Sequence, residues 1–237
     1  MFAGQKLIGI VPMSPVFGET ENRYDDKYLF TDTYGLRVME AGMLPIGVLP
    51  VEGRIKTAVL ELCDGFIIQG GKKVRPHHIE VIDYAVRTGK KLLGICLGCQ
   101  SIQCYFATRA EAERRHWTGS LAELYASLRC KEDHPFLGPV EGHKPSSILP
   151  RGNKDATKHI VYLAEGSHAA KAFGSTRVMG ASFHILRIED PAPGLIVSGR
   201  AEDGTVEAVE YGDTILGTQF HPDVDGELHR VFDWLGQ

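Results

Sequence analysis

The chain has 237 residues, 43% hydrophobic and 24% charged, with a formal net charge of -4. Such a balance suits a globule with a substantial core, and without any run of lysines or arginines it offers nothing to a nucleic-acid backbone. No apolar stretch approaches bilayer-spanning length, LIGIVPM is cut short by Pro12 and so fails as a signal peptide, and the five cysteines are expected as reduced thiols in a cytoplasm.

Residues 7–11 read as a first strand, followed by a polar, proline-bearing loop over 12–27. A helix is expected over 28–41, stopping at Gly42. A second strand follows over 45–49, a second helix over 54–63, and a third strand over 64–69, DGFIIQ, which runs into Gly70-Gly71. A helix over 76–87 then leads to a fourth strand. This alternation implies a parallel sheet with right-handed crossovers and ligands at the carboxyl ends of its strands. Pro76, His77 and His78 lack a nearby carboxylate or cysteine cluster and read as helix-start residues rather than metal ligands. Lys72, Lys73 and Arg75 read as a solvated loop.

The stretch from Lys91 to Gln100, KLLGICLGCQ, carries the first chemistry. Residues 91–95 are nearly all apolar, as a strand buried on both faces of a parallel sheet requires. Cys96 stands between Gly94 and Gly98, and LGCQSIQCYFA continues with helical character. A strand that turns sharply into a helix at a nucleophile needs small residues two positions to each side, where bulk would collide with strand or helix. The sulfur would then sit at the strand's carboxyl end over the positive end of the helix, a setting suited to a nucleophile. A structural cysteine in a glycine-rich turn is the competing reading, and Cys96-x-x-Cys99 also fits a redox pair.

Beyond residue 108 the pattern changes. Thr108 with Glu111 and Ser120 with Glu123 are capping-box candidates, and Trp117, Leu121, Leu124, Tyr125 and Leu128 form one apolar helical face. This segment, 108–130, is expected as a helix packed on the body; following the nucleophile helix, it is also placed to cover the active edge of the sheet as a lid. Residues 133–155 form a loop. From Lys158 short strands follow (HIVYLA, STRVMGAS, GLIVSGRA, TVEAVEY, TILGTQF), with a hairpin turn at Glu202-Asp203-Gly204 and a closing helix over 224–235. The expected fold is α/β, a mostly parallel central sheet flanked by helices, with additional short antiparallel strands in the C-terminal half. Without repeats or linkers, residues 1–237 are expected as one domain.

His221-Pro222-Asp223 follows the buried strand TILGTQF directly. A histidine there shares the sheet edge with Cys96, and a carboxylate two residues on can orient its ring. Together they make a nucleophile, a base and an orienting group.

GICLGCQ followed by GTQFHPD resembles the class I glutamine amidotransferase superfamily, marked by a cysteine elbow and a late His-Pro-Glu. LIGIVPM, YGLRVMEAGMLPIGVLP, DGFIIQGG with its nearby Pro-His-His, SFH at 182–184 and EDGTVEAVEY are similar to the γ-glutamyl hydrolase branch, which includes γ-glutamyl-γ-aminobutyrate hydrolase. These blocks run in order over nearly the whole chain. The resemblance implies a triad of Cys96, His221 and Asp223. It also implies an oxyanion hole from the N–H groups of Leu97 and the Gly70-Gly71 turn, and substrate contacts from Gln100 and His184. Three positions depart from that pattern. Asp223 stands where the family has glutamate, Leu97 where this branch has arginine, and Leu186 where it has glutamine. The last two fall where substrate is held.

The implied reaction is cysteine-dependent hydrolysis of a γ-glutamyl amide bond through a thioester, needing no metal or organic cofactor. A glutaminase subunit delivering ammonia to a separate synthase is the alternative, favoured by Leu97 and GICLGCQ. A non-catalytic binding protein is opposed by the intact nucleophile and base. The expected partner is a small-molecule γ-glutamyl substrate, not nucleic acid or a membrane. A homo-oligomer is compatible with the sequence, and a synthase partner enters only under the alternative.

Overall fold

In the computed structural model, residues 4–13, 28–131, 133–144, 158–224 and 226–237 are described. Most of the expected 12–27 loop, and residues 145–155 of the second, lie outside them. The apolar runs become β1 (Leu7–Val11), β2 (Leu44–Gly47), β3 (Gly65–Ile68) and β4 (Lys91–Ile95). These pair in parallel, β1 between β2 and β3 and β3 against β4. β11 (Ile215–Thr218) adds to the far side of β4, also in parallel, with Thr218 opposite Ile95. From β11 the same sheet continues antiparallel through β10 (Val206–Tyr211), β9 (Ile196–Ala201), β6 (Lys158–Leu163) and β7 (Arg177–Ala181), nine strands in all. The C-terminal strands thus extend the parallel sheet rather than form a separate one. A second, two-stranded pairing joins β5 (Gly138–Pro139) to β8 (Leu186–Arg187).

Alternation along each buried strand feeds two cores. Phe66, Ile68 and Leu92 point to one face with Cys99, Ile102, Phe106 and Tyr125. Ile67 and Leu93 point to the other with Ile8, Tyr34, Cys96, Leu216, Phe220 and Trp234. Both faces are covered, which is why these strands read as continuous apolar runs. Each such side chain contributes about 1.5–3 kcal/mol by burial.

The helices depart more from expectation. α1 is Asp32–Glu40, later than the expected start at 28, because the Gln69 side chain takes the Leu29 carbonyl (2.5 Å) and the Thr31 N–H (3.0 Å). α2 is only Thr57–Glu61, since Arg54 bridges Val51 and the Ile55 N–H donates to Glu80. α3 (Pro76–Thr88) begins as expected, and His78 serves its start. Its Nδ1 accepts from the Arg75 N–H at 3.1 Å, and its Nε2 donates to the Pro12 carbonyl at 3.1 Å.

α4 (Leu97–Arg115) runs straight through Thr108, whose hydroxyl bonds back to Cys104 instead of capping a new helix. His116, at φ 51°, stops it. Ser120 and Glu123 do form the expected capping box of α5 (Leu121–Arg129). Trp117 falls outside that helix and is largely exposed. α5 packs on α3 and α4 along one flank of the sheet, as a helix on the body should, and does not act as a lid. α6 (His168–Phe173), capped by Ser167, was not anticipated from the sequence. The closing helix shrinks to a 3-10 turn at His229–Phe232 and the short α7 (Asp233–Gly236), because Leu228, Val231, Phe232, Trp234 and Leu235 are all pulled onto the sheet.

The buried His78 makes stability pH-dependent. Burial is the main cause that lowers its pKa from 6.5 to about 4. Between those values the unfolded chain takes up a proton that the folded chain refuses. The residue's stabilising contribution is therefore complete above about pH 6.5 and lost as pH falls, by about 3 kcal/mol below pH 4. Urea midpoints at pH 7 and pH 4.5 are expected to fall less in His78→Gln, which keeps a donor and an acceptor, than in the wild type. Equal falls would dismiss this account.

Candidate active site

The carboxyl ends of β3, β4 and β11 lie side by side, and each delivers one part of the site. β4 delivers Cys96. Its backbone sits at φ 54°, ψ -102°, a strained conformation that turns the strand sharply into α4, and its N–H donates to Thr218 at 2.7 Å. The flanking glycines are required by contact. A Cβ on Gly94 would lie 2.6 Å from the Gly98 carbonyl carbon, and one on Gly98 would run into the Ile68 carbonyl oxygen.

β11 delivers His221 and Asp223. The His221 N–H is held by the Ala181 carbonyl at 2.8 Å, and its Nδ1 meets Asp223 Oδ1 at 3.1 Å. The shorter aspartate therefore reaches the ring within one tight turn. Burial alone would lower the His221 pKa, but the Asp223 carboxylate, hydrogen-bonded to the ring, and then Cys96 hold it well above 6.5. The structure thus assembles Cys96, His221 and Asp223 into one contiguous array. It brings Cys99 elsewhere. That residue is fully buried with Ile102 and Phe106 in the opposite core, burial pushes its thiol pKa up, and both cysteines are free.

β3 delivers the Gly70-Gly71 turn, with one correction. The Gly70 N–H is already donated to the Tyr34 hydroxyl at 2.9 Å, so it is not available to an oxyanion. A Cβ at Gly70 would also approach His221 Cε1 to 2.8 Å. Gly71 lies against Leu97, where a Cβ would come within 2.7 Å of its side chain. The N–H groups of Gly71 and Leu97, the latter in the first turn of α4, have no hydrogen-bond partner among the described residues.

Two further expectations are corrected. Gln100 is buried beneath the site, and its amide nitrogen donates to the Leu186 carbonyl (3.2 Å) and to Gln219 (3.1 Å), so it supports the site instead of facing substrate. His184 is also buried, with Nδ1 donating to the Leu186 carbonyl at 2.9 Å and Nε2 turned towards Glu207 and His143. Lys73 pairs with Asp133 at 2.9 Å, in keeping with a solvated loop.

Sequence reasoning missed three residues. Tyr34 and Arg37 stand one turn apart on α1, so both reach the same edge. The Tyr34 hydroxyl accepts from the Gly70 N–H, and burial followed by the nearby Asp223 carboxylate drives its pKa well up. Arg37 Nε donates to the Asp223 carbonyl at 2.9 Å. Phe183, 38% exposed, sets its ring edge-to-face with His221 at 5.3 Å. The three-residue spacing inside YGLRVMEAG was the available signal for the first two; nothing local marked Phe183.

This fold and strand-end site define a class. A solved glutamine amidotransferase from Thermotoga maritima has the same fold, with a TM-score of 0.58 at 12% identity over 94% of this chain and 79% of that one. The chain belongs to the Peptidase C26 family, whose model matches residues 78–223. It is 24% identical to a glutamine amidotransferase-like protein of Rickettsia prowazekii, over 88% of this chain and 91% of that protein. It is also 28% identical to CTP synthase of Bartonella quintana over 73% of this chain, but spans only 34% of that protein's length. No helix among the described residues is long and apolar enough to cross a membrane.

Proposed function

We propose that this protein hydrolyses a γ-glutamyl amide bond through a thioester on Cys96. The observation that carries the reading is the array at the strand ends, a cysteine on a strained elbow beside an imidazole that Asp223 orients. The Cys96 thiolate attacks the γ-carbonyl carbon while His221 holds the proton. The tetrahedral oxyanion faces the N–H groups of Leu97 and Gly71, preset donors of which one is typically worth a hundredfold or more in rate. His221 passes its proton to the departing amine as the C–N bond breaks and the thioester forms. It then takes a proton from water, whose oxygen displaces the sulfur and restores the thiol. Tyr34 and Arg37 act as positioning residues, since they hold Asp223 and the Gly70 turn without reaching the reacting atoms.

The leaving amine must depart beside His221, where Phe183 is exposed. An amine with an aliphatic body gains by covering that ring, and ammonia does not. The purified chain is therefore expected to cleave at least one γ-glutamyl alkylamine with a higher kcat/KM than glutamine. A panel assay following released glutamate tests this. Only weak glutaminase activity, raised strongly by an added synthase, would overturn it.

A further inference from the structure

Outside the catalytic array, four side chains from distant parts of the chain converge on one point. His143 follows β5, His159 lies on β6, His184 lies between β7 and β8, and Glu207 lies on β10. Glu207 Oε1 is 3.2 Å from His143 Nδ1, 3.3 Å from His159 Nε2 and 3.3 Å from His184 Nε2. His143 Nδ1 and His184 Nε2 are 3.1 Å apart. One ligand atom each from His143, His159 and Glu207 falls within 4.8 Å of the others.

The hydrogen bonds around the cluster assign the tautomers. His184 Nδ1 faces the Leu186 carbonyl, which only accepts, so Nδ1 carries the proton and Nε2 presents a lone pair. His143 Nε2 faces the Asp203 carboxylate at 2.9 Å, so its Nδ1 likewise presents a lone pair. Two nitrogen lone pairs and a carboxylate oxygen thus point at one another in a buried space, an arrangement that repels unless a cation stands between them. Glu207 is fully buried and its Oε2 has no hydrogen-bond partner among the described residues, nor does His159 Nε2. Orphaned buried polar atoms of this kind are costly and call for a ligand.

We infer that this cluster binds a divalent transition-metal ion of zinc's ligand preference, through His143 Nδ1, His159 Nε2, His184 Nε2 and the Glu207 carboxylate. Donors about 2.0–2.1 Å from a tetrahedral zinc stand about 3.3 Å apart, and the three imidazole nitrogens lie 3.2, 3.3 and 3.3 Å from Glu207 Oε1. Imidazole and carboxylate donors suit that ion. Asp203 on His143 and the Leu186 carbonyl on His184 are the outer partners that fix ring orientation at zinc sites. A cavity of about 200 Å³ lined by His143, His159 and Asp203 gives the ion a route in. The ion takes no part in the chemistry at Cys96. It ties the 182–187 segment, which bears Phe183 and holds Gln100 through Leu186, to the antiparallel half of the sheet. A single protonated ring among these groups is the rival account, and metal analysis separates the two.

The full chain, prepared without a histidine tag, would be loaded with zinc, desalted and assayed for metal by mass spectrometry, with thermal unfolding followed in parallel. About one zinc per chain is expected, with an unfolding temperature that rises on zinc and falls back on chelation. Cobalt loading should give visible absorption bands. His159→Ala should lose the metal. Asp203→Asn, on an exposed hairpin and not itself a ligand, should fold normally yet bind zinc about 10- to 100-fold more weakly. Wild-type protein without bound zinc and with an unmoved unfolding temperature would overturn the inference. So would zinc that survives both variants or disappears only in Cys96→Ala.

Discussion

Under the proposed reaction, Cys96→Ala is expected to lower γ-glutamyl amide hydrolysis by roughly 10⁴-fold or more, because the thioester forms on the Cys96 sulfur. Its fold should survive, since alanine is smaller and Cys96 already holds the strained backbone angle. Cys99→Ala is the matched control. That sulfur packs against Gly217 in the opposite core, so its loss should cost some stability and little activity. Steady-state kinetics on the best γ-glutamyl substrate, with circular dichroism on each variant, decide the matter. Near-native turnover by Cys96→Ala would end the nucleophile assignment, and equal losses in both variants would return the two cysteines to a redox role.

Gly98→Ala should be the most disruptive single methyl group that can be added near the site. Its Cβ would meet the backbone of Ile68, with the carbonyl carbon at 3.0 Å and the oxygen closer still. Backbone in the middle of a parallel sheet cannot swing aside as a side-chain tip can. The cost is expected to be roughly 3 kcal/mol, at the upper end of overpacking effects. Any relief moves α4 and Cys96 away from β3, and a displacement near 1 Å can cost about a hundredfold in rate. Gly35→Ala, inside α1 with Pro45 no nearer than 3.8 Å, should instead be neutral or stabilising by up to about 1 kcal/mol. Chemical denaturation of both variants tests the contrast; a Gly98→Ala protein as stable and active as the wild type would show that the elbow tolerates bulk.

How far the site was legible follows from the range of its interactions. The elbow could be read because every requirement on it is local. An apolar strand, two glycines and a helix-forming run lie within a few residues, and Gly94 and Gly98 prove to be needed for the contacts they make with each other and with Ile68. His221 and Asp223 could be read for the same reason, as the pair closes inside one turn. Gln100 and His184 misled because a position beside a nucleophile or in a family motif says nothing of which way the side chain's hydrogen bonds run. Both are spent on Leu186.

By itself, then, the sequence determined the parallel half of the sheet, the sharp turn at Cys96 and the pairing of His221 with Asp223. Buried alternation, glycine spacing and the i, i+2 carboxylate are properties of neighbouring residues. The tertiary structure alone decided what surrounds them. It put Tyr34 on the Gly70 N–H, Arg37 on Asp223, Phe183 over His221, and three histidines around Glu207. It also shortened α1 and α2 and carried α4 past Thr108, because side chains such as Gln69 and Glu80 claimed backbone groups that the helical pattern had assigned elsewhere. The physical reason is the same in each case. A hydrogen bond between residues far apart in sequence leaves no periodic trace, and in the folded chain it competes on equal terms with the local bonds that a pattern predicts.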